Sequence, residues 1–367
     1  MIDKRNDIKK KAYIFGAHSR GRTMKEYLSS LCPNLEIEAF LVNNGEKNEN
    51  VINDVPVINI DDSSIEIDVS AKVYLAVRGV YHSAVDKYLR NLGFTDIIPV
   101  TPSLDCELRN EYVKNFFERK KFKFNKLSIQ SKECNERKEA DLARIFVICS
   151  AFDSKVSSEY VNRPYEYKLQ VGCKLTDIRI GDYFDDEGIS ISDRNKQYCE
   201  LTGLYWLWKN ISDDVVGVCH YRRHFILPQN WESLVRSDNV DAVLPVPLYV
   251  SPTVKDNYCE RHVKKIWDDM IDIIKEKHSE MLEDALNLFG EGLYTPCNML
   301  IAKKSIYDEL CGWLFSIVDE LVEKNGQLCD EYQNRYPGFI AERLITLFFF
   351  HNRERFKIYF ADKNFLM

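Results

Sequence analysis

The residues best equipped for chemistry lie in the stretch 219–225, which reads CHYRRHF and holds two imidazoles, a phenol and two guanidiniums. Arginine binds phosphates and carboxylates through pairs of parallel hydrogen bonds, so this stretch could hold an anionic ligand. If the strand before it continues through Arg222 and Arg223, their side chains point to opposite faces, one toward a ligand and one toward the core. The alternative is a structural cluster of ion pairs at the end of a strand.

The elements around this stretch must place it at the edge of a sheet. The preceding run VVGVC at 215–219 has the apolar pattern of a strand that is covered on both faces in an α/β protein. Ligands of such sheets bind beyond the carboxyl ends of the strands. We therefore expect residues 220–223 to emerge at a ligand-binding edge.

Composition limits the class of protein. The chain has 367 residues, of which 45% are hydrophobic and 29% charged, as in a globular protein with room for two domains. A net charge of −7 argues against a nucleic-acid partner, because such binding depends on Lys and Arg. The eleven cysteines include no C-x-x-C pair, which disfavours a zinc or dithiol site and suits reduced thiols. With neither a signal peptide nor a membrane-length apolar run in the sequence, we expect a cytoplasmic protein.

Residues 1–110 are predicted to form a small Rossmann-like domain, because strand and helix patterns alternate between residues 11 and 100. The loop GAHSRG at 16–21 has the outline of the dinucleotide fingerprint. However, His18 stands where the middle glycine would let a pyrophosphate approach the backbone. A nicotinamide dinucleotide is therefore not expected. The loop is either a structural turn or, with Arg20 and Arg22 nearby, a site for a smaller anion.

Residues 111–142 are predicted to be a basic helical linker, and residues 143–367 a second α/β domain. Lys and Arg alternate with Phe over 112–124, so this helix could contact an anionic membrane surface at the inner membrane face. It could equally pack its Phe side chains inward and expose a basic face to solvent.

The spacing of apolar residues over 195–210 predicts one continuous amphipathic helix. The predicted fold class is α/β, with two Rossmann-like parallel-sheet domains.

Five landmarks follow one another along the second domain. They read QVG at 170–172, NKQYCELTGLYWLWKN at 195–210, CHYRRHF at 219–225, CNMLI at 297–301 and GFIAERL at 338–344. In this order, residues 144–360 resemble the DUF4422 family of bacterial capsule and exopolysaccharide glycosyltransferases. The resemblance implies a GT-A-like fold, a nucleotide-sugar donor, and a polysaccharide or lipid-linked oligosaccharide acceptor. Residues 11–100 resemble the small Rossmann-like modules of other polysaccharide-biosynthesis proteins.

The resemblance also implies which residues bind the donor. They are His220, Tyr221, Arg222, Arg223, Gln170, Gly172, Asn195, Tyr198, Asn298 and Arg343. GT-A enzymes usually hold the diphosphate through a divalent metal on an Asp-x-Asp motif, but none follows the strand 215–219. We expect Arg222, Arg223 and His220 to take the diphosphate instead, with no cofactor required. The alternative is a metal such as Mn²⁺ on His220 together with Asp185 or Asp186.

An inverting sugar transfer also needs a general base for the acceptor hydroxyl. Glu342 is the first candidate, because a Gly-Phe turn precedes it on an apolar helix, and Glu200 is the second. Alternatively, Glu342 pairs with Arg343 or Arg222 in a buried network. The predicted function is thus a nucleotide-sugar-dependent glycosyltransferase. The missing Asp-x-Asp and the altered glycine loop keep a second hypothesis open, a non-catalytic regulatory protein that binds a nucleotide-sugar or phosphate.

Overall fold

The chain folds into two compact units. The computed structural model describes residues 10–43, 48–127, 143–153, 163–236 and 239–364. The first unit comprises the residues up to 123 together with 249–251, and the second comprises 124–248 and 252–367. The predicted basic linker, residues 111–142, begins inside the first unit and ends outside the described residues.

The first unit is built on a mostly parallel sheet. Its strands are β1 (Lys10–Phe15), β2 (Leu35–Val42), β3 (Val51–Ile52), β4 (Val55–Asn59), β5 (Lys72–Leu75) and β6 (Ile97–Pro99). Its helices are α1 (Ser19–Leu31), α2 (His82–Asn91) and α3 (Pro102–Arg119). The strand order is β3-β4-β2-β1-β5-β6, and β3–β4 is the antiparallel pair among the described strands. The parallel sheet predicted for this region is confirmed.

The loop between β1 and α1 is a tight turn whose glycines have local structural reasons. Gly16 has a φ of 107°, which residues with a side chain rarely adopt. A Cβ on Gly21 would lie 2.0 Å from the carbonyl oxygen of Gly16. Arg20 donates to a backbone carbonyl oxygen and Arg22 pairs with a surface glutamate. These contacts favour the structural turn over an anion site.

Helix α3 contains the start of the basic, aromatic segment. Its one lysine, Lys114, and its final arginine, Arg119, are exposed, whereas Tyr112 and Val113 are buried. This is the arrangement expected of a packed helix with a solvated basic face.

Within the described residues, no helix has the length and apolar character needed to cross a bilayer. The described cysteines are free thiols.

The second unit is built on a mixed sheet. The strands that follow α3 are β7 (Ala143–Ser150), β8 (Glu166–Val171), β9 (Tyr183–Phe184), β10 (Val215–His220), β11 (Phe225–Ile226), β12 (Ala242–Pro245), β13 (Leu248–Tyr249), β14 (Leu293–Tyr294), β15 (Leu300–Lys303) and β16 (Ile358–Lys363). The helices are α4 (Asn195–Tyr198), α5 (Leu201–Asn210), α6 (Trp231–Arg236), α7 (Val254–Arg261), α8 (Lys264–Lys277), α9 (Leu282–Phe289), α10 (Lys304–Asn325) and α11 (Tyr336–His351). The sheet order is β11-β16-β12-β15-β10-β7-β8-β9.

Strand β10 lies inside this sheet, parallel to β7 and antiparallel to β15. It is buried from Val215 to Cys219, and its packing is close, because a Cβ on Gly217 would lie 2.7 Å from the Ile145 side chain. The covered strand predicted at 215–219 is therefore confirmed, as is the α/β fold class. The second sheet differs from a purely parallel one, since β15 runs antiparallel to both of its neighbours.

The helix predicted over 195–210 is broken after Tyr198. Cys199 has φ 52° and ψ −129°, a backbone conformation that is sterically unfavourable for a residue with a Cβ. The chain turns there and restarts as α5 at Leu201. The prediction of one continuous helix was wrong, because apolar periodicity continues across a change of direction made by one residue. We refer to Cys199 and Glu200 as the corner.

Candidate active site

Residues 220–223 form a tight turn that ends β10. The backbone N–H of His220 donates to the carbonyl oxygen of Arg223 at 3.0 Å, and the N–H of Arg223 donates back at 2.8 Å. The N–H of Tyr221 donates to the carbonyl oxygen of Ile148 in β7, at 3.0 Å. The strand ends at His220 and does not continue through the arginines, so the condition under which they would point to opposite faces is not met. The turn instead fixes both arginines at the carboxyl ends of two parallel strands.

The side chains of this turn pack on one another. The Arg222 guanidinium lies 4.9 Å from the centre of the Tyr221 ring, which lies 4.8 Å from the His220 ring. Burial, and then the charges of Arg223 and Arg222, lower the pKa of His220 to about 3. His220 is therefore neutral at pH 7, and its buried Nδ1 has no hydrogen-bond partner among the described residues. The positive charge of the turn comes from its arginines.

Glu200, at the corner, is held by a residue from another part of the chain. The Asn298 side-chain amide donates to Glu200 Oε1 at 2.9 Å and to the carbonyl oxygen of Gly338 at 3.1 Å. Asn298 and its neighbour Cys297 have φ values of 49° and 77°, so the loop before β15 is bent to reach both partners. The structure thus brings the predicted residues Glu200 and Asn298 together at the start of α11.

Glu342 lies one turn further along α11, with both carboxylate oxygens engaged. The backbone N–H of Cys297 donates to Oε1 at 2.6 Å, and Arg343 Nη1 donates to Oε2 at 2.8 Å. Burial raises the pKa of Glu342, while Arg343 and the Cys297 N–H act against the rise. The charges of Glu200 and Arg223 also act on it, so these groups lie within electrostatic range. The predicted ion pair with Arg343 is present, and 19% of the Glu342 side chain is exposed.

Arg343 itself is enclosed by aromatic rings. Its guanidinium lies 4.4 Å from the Tyr294 ring centre and 5.5 Å from that of Tyr258. It also donates to the carbonyl oxygen of Phe339 at 2.9 Å. This buried position favours a role in holding Glu342 over direct contact with a donor.

Gln170 and Gly172, at the end of β8, are engaged in local structure. Gln170 is fully buried; it donates to the carbonyl oxygen of Ile178 and accepts from the N–H of Ile180, both at 2.7 Å. Gly172 has a φ of 71°, and a Cβ there would lie 2.7 Å from Asn195 Oδ1. The family landmark QVG therefore has structural reasons in this chain.

Asn195 and Tyr198 support the corner. The Asn195 amide donates to the carbonyl oxygen of Cys199 at 2.8 Å and to the Thr202 hydroxyl at 3.0 Å. The Tyr198 hydroxyl donates to Asp319 Oδ1 at 2.7 Å. Asn195 thus ties α4 to the corner and to α5, and Tyr198 ties α4 to α10.

Asp185 and Asp186, considered as alternative metal ligands, are already engaged. Asp185 is fully buried and accepts four hydrogen bonds, from the N–H of Gly172 (3.0 Å), the N–H of Cys173 (3.0 Å), the Ser192 hydroxyl (2.5 Å) and the Thr202 hydroxyl (2.8 Å). A carboxylate offers about four lone-pair directions, so these donors occupy its capacity. Asp186 pairs with Arg179 at 2.9 Å. Because both carboxylates already have partners, Asp185, Asp186 and His220 do not fit as the ligands of one metal ion.

Two charged residues of the site, Asp153 and Arg335, were not predicted. Asp153 follows β7 and accepts from the N–H of Ser150 at 2.6 Å. Burial raises its pKa to about 6, and its charge interacts with those of Arg222, Glu200 and Arg335. Arg335 Nε donates to the Cys199 sulfur at 3.0 Å. A carboxylate just beyond a buried strand was a usable signal for Asp153, whereas the place of Arg335 depends on the corner.

Apart from Arg343, which is buried behind Glu342, three guanidiniums and three carboxylates act on one another in this part of the molecule. We name this group the arginine–carboxylate cluster; it consists of Arg222, Arg223, Arg335, Asp153, Glu200 and Glu342. Permanently charged guanidiniums suit a diphosphate, and a carboxylate with a raised pKa suits proton transfer. The cluster lies where open α/β sheets bind ligands, beyond the ends of β7 and β10.

A separate group of possible metal ligands lies in the core. Among the described residues, Glu166, Cys219 and His224 bring their ligand atoms within 4.8 Å of one another. All three are buried, and His224 Nδ1 lies 3.2 Å from Glu166 Oε1. This geometry is that of a buried hydrogen-bonded pair beside a thiol.

Comparison with known proteins assigns the family. The model for a domain of unknown function, DUF4422, matches residues 148–353, which is more than half of the chain. The chain belongs to the DUF4422 family, as the sequence landmarks predicted. No curated protein matches it.

Among solved structures, the chain is similar to one described as the apo form of WbbM, a bifunctional glycosyltransferase. The TM-score is 0.53 at 24% sequence identity, over 61% of this chain. The match spans 45% of the WbbM chain, less than half of that protein. At this identity the similarity shows a shared fold.

Proposed function

We propose that this protein is a glycosyltransferase that moves a sugar from a nucleotide-sugar donor to a polysaccharide or lipid-linked oligosaccharide acceptor. The observation that carries the proposal is the arginine–carboxylate cluster at the ends of β7 and β10. Membership of the DUF4422 family and the fold shared with a glycosyltransferase support it. We place the reaction in capsule or exopolysaccharide synthesis, at the cytoplasmic side of the membrane.

The proposed reaction exchanges one bond at C1 of the donor sugar for another. The bond from C1 to the diphosphate oxygen breaks, and the electron pair leaves with the diphosphate. A new bond forms between C1 and the acceptor oxygen. Preorganised donors stabilise the charge that develops on the leaving group, and Arg222 and Arg223 are the proposed donors. In an inverting transfer, the acceptor proton passes to a carboxylate.

Glu342 is the proposed base, with Glu200 as the second candidate. The N–H of Cys297 and the Arg343 guanidinium fix the orientation of the Glu342 carboxylate. Burial raises its pKa, which favours proton acceptance. Asp153 joins these two as a third candidate, because its pKa of about 6 lies closer to neutral pH than that of an ordinary carboxyl.

The proposal requires no metal for the diphosphate. Asp185 already accepts four hydrogen bonds, and Asp186 forms an ion pair with Arg179. A divalent cation beside the turn 220–223 would be repelled by its two guanidiniums. The proposed counter-charge of the diphosphate is therefore arginine.

Release of free sugar in the absence of an acceptor tests the proposal. We expect the protein to hydrolyse one member of a panel of uridine, guanosine, thymidine and cytidine diphosphate sugars slowly. Arg222→Ala should lower the rate by about 100-fold or more, the usual effect of losing one group that stabilises a developing charge. Its melting temperature should stay close to that of the unmodified protein.

A matched control is Arg355→Ala, because the Arg355 side chain is 58% exposed and pairs with Glu309 at the surface. This variant should hydrolyse the donor at the unmodified rate. A protein that binds a sugar nucleotide and returns it intact would contradict the transferase proposal. It would support the alternative, a non-catalytic nucleotide-sugar-binding protein.

A further inference from the structure

A group of aromatic rings opens to solvent beside the arginine–carboxylate cluster. The Tyr332 ring centre lies 5.1 Å from that of Phe339 and 5.8 Å from that of His262. The His262 and Phe339 rings are stacked at 4.2 Å. Tyr332 is 54% exposed, although an aromatic residue of this size usually buries most of its surface. We name these three residues the aromatic face.

The aromatic face is joined to the cluster by Arg335 and by α11. The Arg335 guanidinium lies 5.9 Å from the Phe339 ring centre, while its Nε donates to the sulfur of Cys199 at the corner. Its two terminal nitrogens make no hydrogen bond with the described residues, so they can donate to a ligand. Phe339 and Glu342 are three residues apart in α11, and this spacing places them on the same side of the helix.

His262 adds a hydrogen-bond acceptor to this surface. Gln333 Nε2 donates to the carbonyl oxygen of Arg261 at 3.0 Å, which turns Gln333 Oε1 toward His262 Nδ1 at 3.3 Å. Nδ1 must therefore carry the proton, and Nε2 presents a lone pair. Burial lowers the pKa of His262 to about 4, so the ring is neutral at pH 7.

An exposed ring with a cationic donor and a neutral acceptor beside it matches the chemistry of a sugar. A pyranose presents a face of C–H bonds, which packs on the electron-rich face of an aromatic ring. Its hydroxyls can accept from a guanidinium and donate to an imidazole nitrogen. We propose that the aromatic face and Arg335 bind a sugar ring of the acceptor glycan. This inference rests on the proposed glycosyltransferase function.

A nucleobase could also stack on Tyr332, but its expected place is different. Nucleotides bind open α/β sheets beyond the strand ends, which is the position of the turn 220–223. The aromatic face is instead formed by residues that precede α8 and that lie in and before α11. It is therefore assigned to the acceptor.

Saturation-transfer NMR tests the inference directly. The aromatic protons of the full chain are saturated in the presence of millimolar methyl glycosides of glucose, galactose, mannose, rhamnose and N-acetylglucosamine. We expect the C–H protons of at least one glycoside to receive saturation. Tyr332→Ala should weaken that binding about tenfold, while Tyr332→Phe should retain it because the ring remains. Tyr81→Ala is the matched control, since Tyr81 is 55% exposed and lies in the first unit.

Three results would overturn the acceptor site. The first is that no glycoside receives saturation, and the second is that Tyr332→Ala does not weaken the saturation transfer. The third is that uridine monophosphate receives saturation and that Tyr332→Ala abolishes this signal. Donor hydrolysis by the unmodified protein is measured alongside. Hydrolysis without glycoside binding would remove this inference and leave the transferase proposal intact. Glycoside binding without hydrolysis of any donor would leave a sugar-binding surface and contradict the transferase.

Discussion

Asp153 gives the cluster a pH dependence that can be measured through stability. Its pKa is about 6 in the folded protein and near 3.8 in an unfolded chain. Between these values the folded state binds more protons, so the stability due to this group falls as pH rises from about 4 to 6. As pH rises above about 6, the carboxylate becomes ionised in the folded protein as well, and the loss of stability due to this group is complete. Functional sites commonly carry such a cost.

Asp153→Asn should therefore raise the melting temperature at pH 7.5 and leave it nearly unchanged near pH 4. Thermal unfolding at the two pH values measures the difference. The control is Asp193→Asn, because the Asp193 side chain is 64% exposed and should show no such pH-dependent gain. If Asp153→Asn and the unmodified protein have equal melting temperatures at both pH values, the prediction is contradicted. The Asp153 carboxylate would then be solvated and would not belong to the cluster.

At the scale of residues, side-chain chemistry singled out the arginines of the turn, and the family resemblance singled out the residues around Glu200. Arginine and carboxylate are informative because they are rarely buried without a partner or a ligand. The sequence could not show that the side chains of Gln170 and Asn195 already have hydrogen-bond partners, because those partners depend on the folded backbone. For the same reason, Arg335 could not be predicted: its partner is a sulfur 136 residues away.

At the scale of elements, the corner between α4 and α5 stores backbone strain beside the site. Cys199 has a positive φ that only glycine adopts readily, and such strain costs about 1–3 kcal/mol. Cys199→Gly and Cys199→Ala both remove the sulfur that accepts from Arg335, but only the glycine variant relieves the strain.

We expect Cys199→Gly to be more stable than Cys199→Ala by about 1 kcal/mol, after the entropic cost of glycine is included. Urea unfolding of the two variants measures this difference. The opposite order, with the alanine variant more stable, would mean that the corner relaxes when the sulfur is removed and is not strained.

Hydrophobic patterning predicted the alternating strands and helices of the first unit and the covered strand at 215–219 in the second, because burial sets that pattern directly. It could not predict the break at Cys199, since one residue changes the chain direction while the apolar pattern continues. Nor could it predict that β15 runs antiparallel to β10. Strand direction depends on how the preceding loop enters the sheet, and that loop is bent at Cys297 and Asn298.

At the scale of the whole molecule, the net charge of −7 would repel a polyanionic ligand. Under the proposed function, binding of the donor would therefore depend on local guanidiniums, those of Arg222 and Arg223, at short range. The proposed function depends above all on this property: arginine, without a divalent metal, holds the diphosphate of a sugar nucleotide. If the proposal holds, the two arginines at the end of β10 take the role that a metal on an Asp-x-Asp motif would otherwise have.

A thermal-shift panel separates arginine from metal as the group that holds the diphosphate. Uridine, guanosine, thymidine and cytidine diphosphates and their sugars are each added with Mn²⁺ and with EDTA. At a hundredfold excess over Kd, a ligand that binds only the folded protein adds about 2.7 kcal/mol of stability. We predict that one nucleotide raises the melting temperature equally in Mn²⁺ and in EDTA. A rise that requires Mn²⁺, or no rise with any nucleotide, would contradict binding by arginine alone.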